Sequence, residues 1–309
     1  MQQTTTAPDG RTIGKFEHPA VTAKGERRAA VALLRLETLW FNTGTLCNIT
    51  CRNCYIESSP KNDQLAYLTL ADVETYLDEI RRDSLSVSLI GFTGGEPFMN
   101  REIIPILDAV LAAGYETLVL TNAMRPMMRH RASLRRLRER HGDRLRIRVS
   151  LDDHRPSVHD AERGPDAFAR AMEGLRFLAG DGFRVELAGR RFADDTEAGS
   201  REGYRRALAA EGIALDCDDA VKLVVFPEMR ADADPPEITE ACWSILHKSP
   251  DEVMCASSRM VVRRKGAAGP SVLACTLIAY DPQFELGRTL AEAARPVALN
   301  HRFCATFCV

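Results

Sequence analysis

These 309 residues lack an apolar run long enough for a signal peptide at the start, "MQQTTTAPDGRTIGKFEHPA", and no later stretch approaches the ~20 apolar residues that cross a bilayer. On that ground the chain reads as cytoplasmic, with no membrane partner. An excess of one charge is missing too. The formal net charge is −2, so no global field marks a nucleic-acid or membrane surface as partner. The most basic run, "MRPMMRHRASLRRLRERHGDRLRIR" (124–148), has no aromatic groups for bases to stack on. It reads as the solvated face of a helix whose apolar positions are Leu134 and Leu137, and no nucleic acid is expected. "GFTGG" fails the Gly-x-Gly-x-x-Gly spacing of a dinucleotide site, and no Ser-His-Asp or paired-carboxylate arrangement can be argued. Internal repeats and low-complexity tracts are absent as well.

Hydrophobic residues make up 45% of the chain, enough for a large core and more than one small domain needs. After a polar lead-in (1–35), a rhythm begins. Strands are predicted over 36–43, 86–97, 116–122, 144–153, 183–192 and 220–227, and helices over 69–83, 100–114, 131–142, 166–182 and 200–212. Six strands alternating with five helices imply parallel βα units, as an open doubly wound sheet or a partial barrel. In either, ligands bind where strands end and loops begin. The polar segments sit there: the loop at 47–55, "TGGEP", "TNA", "SLDD" and "GRR". An acidic, Pro-rich shift at 229–243 marks a boundary, giving a main unit (36–228) and a smaller one (229–309). In the smaller unit a hairpin is predicted within 254–275 and a short helix over 287–297.

Cysteine is also absent over a long interval. Of nine, three stand at 47, 51 and 54, none lies between 55 and 216, and six follow from Cys217 onward. In a reducing compartment such cysteines serve as metal ligands or redox groups rather than disulfides. A structural zinc at the first group wants a fourth ligand, yet no histidine is nearer than His18 or His130. The alternative is an iron–sulfur cluster with one iron left open, which can bind and activate a substrate.

The spacing Cys47-x3-Cys51-x2-Cys54 followed by Tyr55, together with "TGGEP" at the end of the next predicted strand, resembles the radical SAM superfamily. The resemblance covers roughly residues 36–228 and favours a partial (β/α)6 TIM-type barrel over an open sheet. It implies a [4Fe–4S] cluster on Cys47, Cys51 and Cys54 whose open iron chelates S-adenosyl-L-methionine. Reductive cleavage then gives a 5′-deoxyadenosyl radical that abstracts hydrogen from a substrate. It implies S-adenosylmethionine contacts at Tyr55, Gly94, Gly95, Glu96 and Pro97. Gly94 and Gly95 would admit the ligand to the backbone, and Glu96 would accept from its ammonium. Ser150 and Asp152 resemble ribose-binding positions, and Asn122 and Arg190 would reach the ribose or the methionine carboxylate. His154 and His159 lie near the presumed mouth, as substrate contacts or acid–base groups, or merely exposed; no catalytic residue is assigned.

Cys255 and Cys275 flank the predicted hairpin, and Cys304 and Cys308 are one helical turn apart, so four thiolates can face one site. The layout resembles the twitch form of the SPASM extension, a small cysteine-rich α+β domain that holds a second, auxiliary [4Fe–4S] cluster. Structural zinc and free thiols are the alternatives. The final pair encloses three residues, Ala305, Thr306 and Phe307, where that family often has two. A further ligand beyond residue 309, or Cys242 in its place, would complete the set; Cys217 and Cys242 otherwise read as buried small hydrophobes. A fully ligated second cluster implies electron relay and net oxidation. The short lead-in, where peptide-modifying relatives often carry a leader-binding domain, favours oxidation or rearrangement of a biosynthetic small molecule. The alternatives are a peptide-modifying maturase (thioether or C–C crosslink) and a non-catalytic metal-binding or redox-sensing protein. An electron donor such as flavodoxin or ferredoxin is the expected partner.

Overall fold

Apolar residues at alternate positions become strands, and those at helical spacing become the helices that cover them, in the computed structural model, which describes residues 13–192, 194–228 and 233–308. In chain order the elements are β1 (Ala30–Val31), β2 (Thr38–Asn42), α1 (Leu70–Arg82), β3 (Leu89–Thr93), α2 (Ile103–Ala112), β4 (Glu116–Thr121), α3 (Arg125–Met128), α4 (Arg131–His141) and β5 (Leu145–Ser150). They continue as α5 (Pro156–Arg163), α6 (Ala167–Gly180), β6 (Arg184–Arg191), α7 (Glu197–Ala210), β7 (Leu223–Pro227), α8 (Cys242–Ile245), β8 (Ser258–Val262), β9 (Ser271–Leu273), β10 (Glu285–Gly287), β11 (Val297–Ala298) and α9 (Arg302–Phe307).

Local chemistry sets these bounds. Thr69 and Asp72 close a reciprocal capping box that starts α1, whose Val73, Tyr76, Leu77 and Ile80 then fall on one buried stripe. In α2 the buried positions are Ile103, Ile106, Leu107, Val110 and Leu111, again one face. Along β5, Leu145, Ile147 and Val149 are buried while Arg146, Arg148 and Ser150 on the other face are half-buried. One face of the sheet therefore packs on helices; the other carries Arg146, Arg148 and Ser150 on β5, and an apolar cluster of Trp40, Met260, Val262 and Leu273 where β2 meets β8 and β9.

The six predicted strands are β2 to β7, paired in parallel in sequence order. The sheet extends beyond them, in the order β10-β9-β8-β2-β3-β4-β5-β6-β7. The predicted hairpin, β8 and β9, thus continues the main sheet, with β8 parallel to β2 and Thr38 opposite Ser258. The result is an α/β fold with a mostly parallel central sheet, consistent with a partial barrel. No helix among the described residues is long and apolar enough to cross a membrane.

Three features differ from the sequence expectation. The predicted helix over 287–297 does not form. Leu290 and Ala291 donate their amides to Glu79 Oε1 of α1 at 2.7 and 3.2 Å, and Arg259 takes the carbonyls of Ala293 and Arg295, so side chains satisfy groups that a helix would pair internally. Two unpredicted short helices, α3 and α5, fill loops after β4 and β5. The lead-in, from residue 13, is docked: β1 pairs with β11, Ala29 and Val31 are buried, and Arg28 meets Glu237 at 2.5 Å with side chains 0% and 7% exposed. The boundary expected at residue 229 falls on 229–232, outside the described residues.

Glu237 also accepts the amides of Phe16 and Ala23 at 2.9 and 2.8 Å, so this one carboxylate organises the whole segment. Arg28→Met should leave it buried without its cation and lower unfolding free energy by about 3–5 kcal/mol in urea titrations. An unchanged midpoint would mean that the lead-in contributes nothing to the folded core.

Candidate active site

Two loops meet at the C-terminal ends of β2 and β3. The loop after β2 carries Cys47, Cys51 and Cys54; the turn after β3 carries Gly94 and Gly95. Gly95 donates its amide to Gly44 O at 2.8 Å, and Glu96 donates to Leu46 O at 3.1 Å. A β-carbon on Gly95 would lie 2.2 Å from Leu46 O, and one on Gly94, whose φ is +131°, 2.5 Å from Gly44 O. The glycine pair is required by contact between the two chains, not only by approach of a ligand.

The cysteine loop is held from the other side by the end of α5. Arg52 donates its amide to Glu162 O at 2.8 Å, and Asn53 Nδ2 reaches Glu162 Oε2 at 3.0 Å. Between these supports lies a cavity lined by Cys47, Cys51, Cys54, Tyr55, Thr93, Gly94, Gly95, Asn122, Ser150, Arg163 and Arg190, with Ile49, Asn53, Ser58, Leu120 and Thr121. Nine of the residues predicted for this site therefore share one cavity wall. Glu96, Pro97 and Asp152 do not line it.

Glu96 stands behind the wall, 1% exposed, and both its oxygens are taken: Oε1 accepts from Thr121 Oγ1 (2.8 Å) and Phe98 N (3.2 Å), Oε2 from Asn122 N (2.9 Å). Burial pushes its carboxyl up to about 7 against the pull of these donors. Its evident work is tying the end of β3 to the end of β4, and accepting from a ligand's ammonium is not what this geometry favours. Pro97 opens the short turn 97–99 that follows.

Asp152 is bound by Arg163, with Nε–Oδ2 2.7 Å and Nη2–Oδ1 2.9 Å. Burial alone would raise its carboxyl, but Arg163 outweighs it and holds the group at about 2. Arg190 joins the network through Glu162 Oε2 at 3.4 Å and stands 3.9 Å from Asp152 Oδ1. Asp152 thus positions Arg163, a cavity residue that sequence reasoning missed. The available signal was "PSVHDAERG": proline at a helix start, glycine at its stop, and arginine in the last turn. His159 lies in this helix, fully buried, its Nδ1 accepting from Asp152 N at 3.1 Å. Burial, then Arg163, pulls it down to about 4, so it is a neutral structural group rather than an exposed histidine. His154 is packed edge-on against Tyr204.

The donor set suits an iron–sulfur cluster. Burial pushes the Cys47 thiol up to about 12 and raises Cys51 as well, so thiolates there need a cationic partner. The Ser58 amide points to Cys54 Sγ at 3.3 Å, the charged side chains on the wall are guanidiniums, and Tyr55 Oη meets Thr93 Oγ1 at 3.3 Å. Among the described residues no three Cys, His, Asp or Glu side chains are gathered tightly enough for a single metal ion. A cluster that gives each thiolate its own iron spaces them more widely.

A second cavity is lined by Cys255, Cys275, Cys304 and Cys308, with Met254, Leu277, Ile278, Phe284, Val297, Leu299 and Phe303. All four predicted thiols meet here. Burial pushes Cys255 and Cys275 up to about 11 and 12 and raises Cys304 and Cys308. The Leu277 amide points to Cys275 Sγ at 3.3 Å. Cys242 is elsewhere, with Thr239 N 3.4 Å from its sulfur, and Cys217 is buried in the core. Because β8 runs parallel to β2, Cys255 lies at the N-terminal end of the strands and the first cysteine loop at the C-terminal end. Four residues of strand, roughly 13 Å, separate the two levels.

Residues 41–190 match the family model of the radical SAM superfamily. Subtilosin biosynthesis protein AlbA of Bacillus subtilis is 31% identical over 143 residues, 46% of this chain and 30% of AlbA. Mycofactocin maturase MftC of Mycobacterium ulcerans is 30% identical over 137 residues, 44% of this chain and 35% of MftC. The matched region thus spans about a third of each relative. SuiB of Streptococcus suis, solved bound to S-adenosylmethionine, superposes with a TM-score of 0.59 at 13% identity, covering 82% of this chain and 63% of SuiB, a shared fold. Residues 41–190 are thus similar to the radical SAM superfamily, and the relatives and structural neighbours are consistent with a radical SAM enzyme.

Gly95→Ala should force the two loops apart, costing ~1–3 kcal/mol as overpacking does, and should cut the iron retained by the first cysteine group. Unaltered iron content and melting temperature would refute the close approach. Asp152 has a folded-state value below its ordinary 3.8, so its pairing stabilises above about pH 4 and is lost as pH falls through about 2. The stability difference between wild type and Asp152→Asn should therefore narrow as the pH is lowered from 5 to 2. A constant difference would remove the charge pairing as its source.

Proposed function

We propose that this chain is a radical SAM enzyme that abstracts hydrogen from a peptide substrate, with a second iron–sulfur cluster as electron relay. The convergence of Cys47, Cys51, Cys54, Gly94, Gly95, Asn122, Ser150, Arg163 and Arg190 on one cavity carries the reading. Cys47, Cys51 and Cys54 would hold the first cluster, and Cys255, Cys275, Cys304 and Cys308 the second. When bound, the first cluster and S-adenosylmethionine supply one-electron reductive cleavage and hydrogen abstraction.

The chain's own residues bind and orient. Arg163 and Arg190 present guanidiniums suited to a methionine carboxylate, with Asp152 and Glu162 fixing their forks. Asn122 is held by Asn48 Oδ1 at 2.9 Å with its amide turned to the cavity, and Ser150 offers a hydroxyl beside it. Both are suited to ribose oxygens. Leu120 and Ile49 supply apolar wall that limits water near the reacting atoms. A small electron donor such as flavodoxin or ferredoxin would reduce the site.

The peptide reading replaces the small-molecule preference drawn from the short lead-in. AlbA and MftC are named as a bacteriocin biosynthesis protein and a maturase, and SuiB has also been solved bound to its precursor peptide SuiA. The sheet is unclosed, and β5 presents Arg146, Arg148 and Ser150 on the face away from the helices, which suits a substrate entering from the side.

After anaerobic reconstitution, the Cys47→Ala/Cys51→Ala/Cys54→Ala variant should keep about half the wild-type iron and form no 5′-deoxyadenosine on reduction. Loss of essentially all iron would sink the second cluster. Supplied with S-adenosylmethionine, reductant and precursor peptides encoded beside its gene, the wild type should return a peptide lighter by the hydrogens removed. Unmodified peptides, with turnover appearing only on a small-molecule extract, would restore the other substrate class.

A further inference from the structure

Arg259 is among the largest fully buried side chains, 1% exposed. Its guanidinium donates only to backbone carbonyls: Cys255 O at 2.6 Å, Ser258 O at 2.8 Å, Ala293 O at 2.9 Å and Arg295 O at 3.3 Å. Other buried and half-buried arginines have carboxylates. Arg28 has Glu237, Arg163 has Asp152, and Arg146 and Arg148 share Glu186. Among the described residues no carboxylate pairs with Arg259.

A buried cation without a counter-ion is costly, and carbonyl dipoles offset that cost only in part. The residue that joins this guanidinium to the second cavity is Cys255, whose carbonyl accepts from Arg259 Nη1 at 2.6 Å. Cys255 is one of the four thiols that line the apolar second cavity. A neutral occupant, or four protonated thiols, would leave the cation uncompensated. A [4Fe–4S] core held by four thiolates carries net negative charge and would supply the missing counter-ion.

We infer that Arg259 is the buried counter-charge of an anionic iron–sulfur cluster in the second cavity, and that its guanidinium makes that cluster easier to reduce. The inference rests on the proposed second cluster. Cluster potentials depend on net charge and solvent exposure, and in this apolar cavity one fixed cation is screened little. Reduction adds one electron and so one negative charge, which the cation stabilises. A relay that must accept electrons from a substrate gains from a raised potential. Arg259 is a positioning and tuning residue in this account, since it touches Cys255 through the backbone and not the reacting atoms.

The test uses the full chain in the Cys47→Ala/Cys51→Ala/Cys54→Ala background, where only the second cluster remains. Iron per chain is measured first, then the midpoint potential by an EPR-monitored reductive titration. Arg259→Met should lower the equilibrium constant for one-electron reduction at least tenfold, about 59 mV toward negative potential. Arg259→Lys, which keeps the charge and loses the fork, should stay near the parent. Equal midpoints in parent and Arg259→Met at equal iron would overturn the inference, as would Met and Lys shifting alike, the mark of a purely structural clamp. If Arg259→Met does not fold, the neutral Arg259→Gln takes its place with the same two readings. Absence of iron in the background variant itself is a different result: it removes the second cluster, and this inference with it.

Discussion

The carbonyl of Leu46 passes so close to Gly95 that a β-carbon there would lie 2.2 Å from its oxygen, and the candidate site depends on that approach. It brings the loop after β2 against the turn after β3, so the three thiols stand over the row of polar groups ending β3 to β6. A side chain at Gly95 would push the loop off that row. The end of α5 holds the loop's far side through Glu162, so it is gripped at both edges before any cluster binds. Placement of ligands in advance is what cofactor chemistry needs from a protein.

The two thiol cavities use the same ligand type in opposite surroundings. The first is walled by hydroxyls, amides and two guanidiniums, each braced by a carboxylate outside the wall. Such a wall tolerates a charged, polar co-substrate beside the cluster. The second is walled by Leu277, Ile278, Phe284, Val297, Leu299 and Phe303, and the Arg259 guanidinium is buried behind Cys255. Apolar walls and four thiols leave no polar group to orient a substrate. Three thiols among polar groups suit binding and cleavage; four among apolar groups suit holding an electron.

Much of this was legible in the chain because it is encoded locally. The strand rhythm, the cysteine loop, "TGGEP" and the hairpin flanked by Cys255 and Cys275 all depend on residues near one another in sequence. What escaped is long-range. Arg28 and Glu237 are 209 positions apart, so docking of the lead-in left no local trace. The segment 287–297 has helical composition, yet Glu79 of α1 and Arg259 of β8 take its amides and carbonyls, a tertiary override of propensity. Arg163 was missed because "SLDDHRPSVHD" reads as a histidine loop, although Pro156 begins a helix that turns an arginine into the cavity. Glu96 and Asp152 were found, but as ligand contacts; their position one layer behind the wall follows from side-chain direction, which sequence spacing does not carry.

The face between the two cavities bears on what the enzyme can accept. A closed parallel barrel fills its interior with layers of branched apolar side chains. Here the concave positions of β5 and β6 carry Arg146, Arg148 and Glu186, joined at 3.1 and 2.6 Å. Charges of that kind are tolerated where water reaches, and both arginines keep part of their surface exposed. Among the described residues β7 and β10 are the edge strands of the sheet, and α9, which carries Cys304, packs against β7. The interior is therefore bounded on one side by the same short helix that brings a thiol to the second cavity. A substrate entering between those edges would lie along the strands, from the level of the second thiol cavity toward that of the first. An extended chain can span that path of roughly a strand's length, and a compact small molecule cannot touch both ends at once.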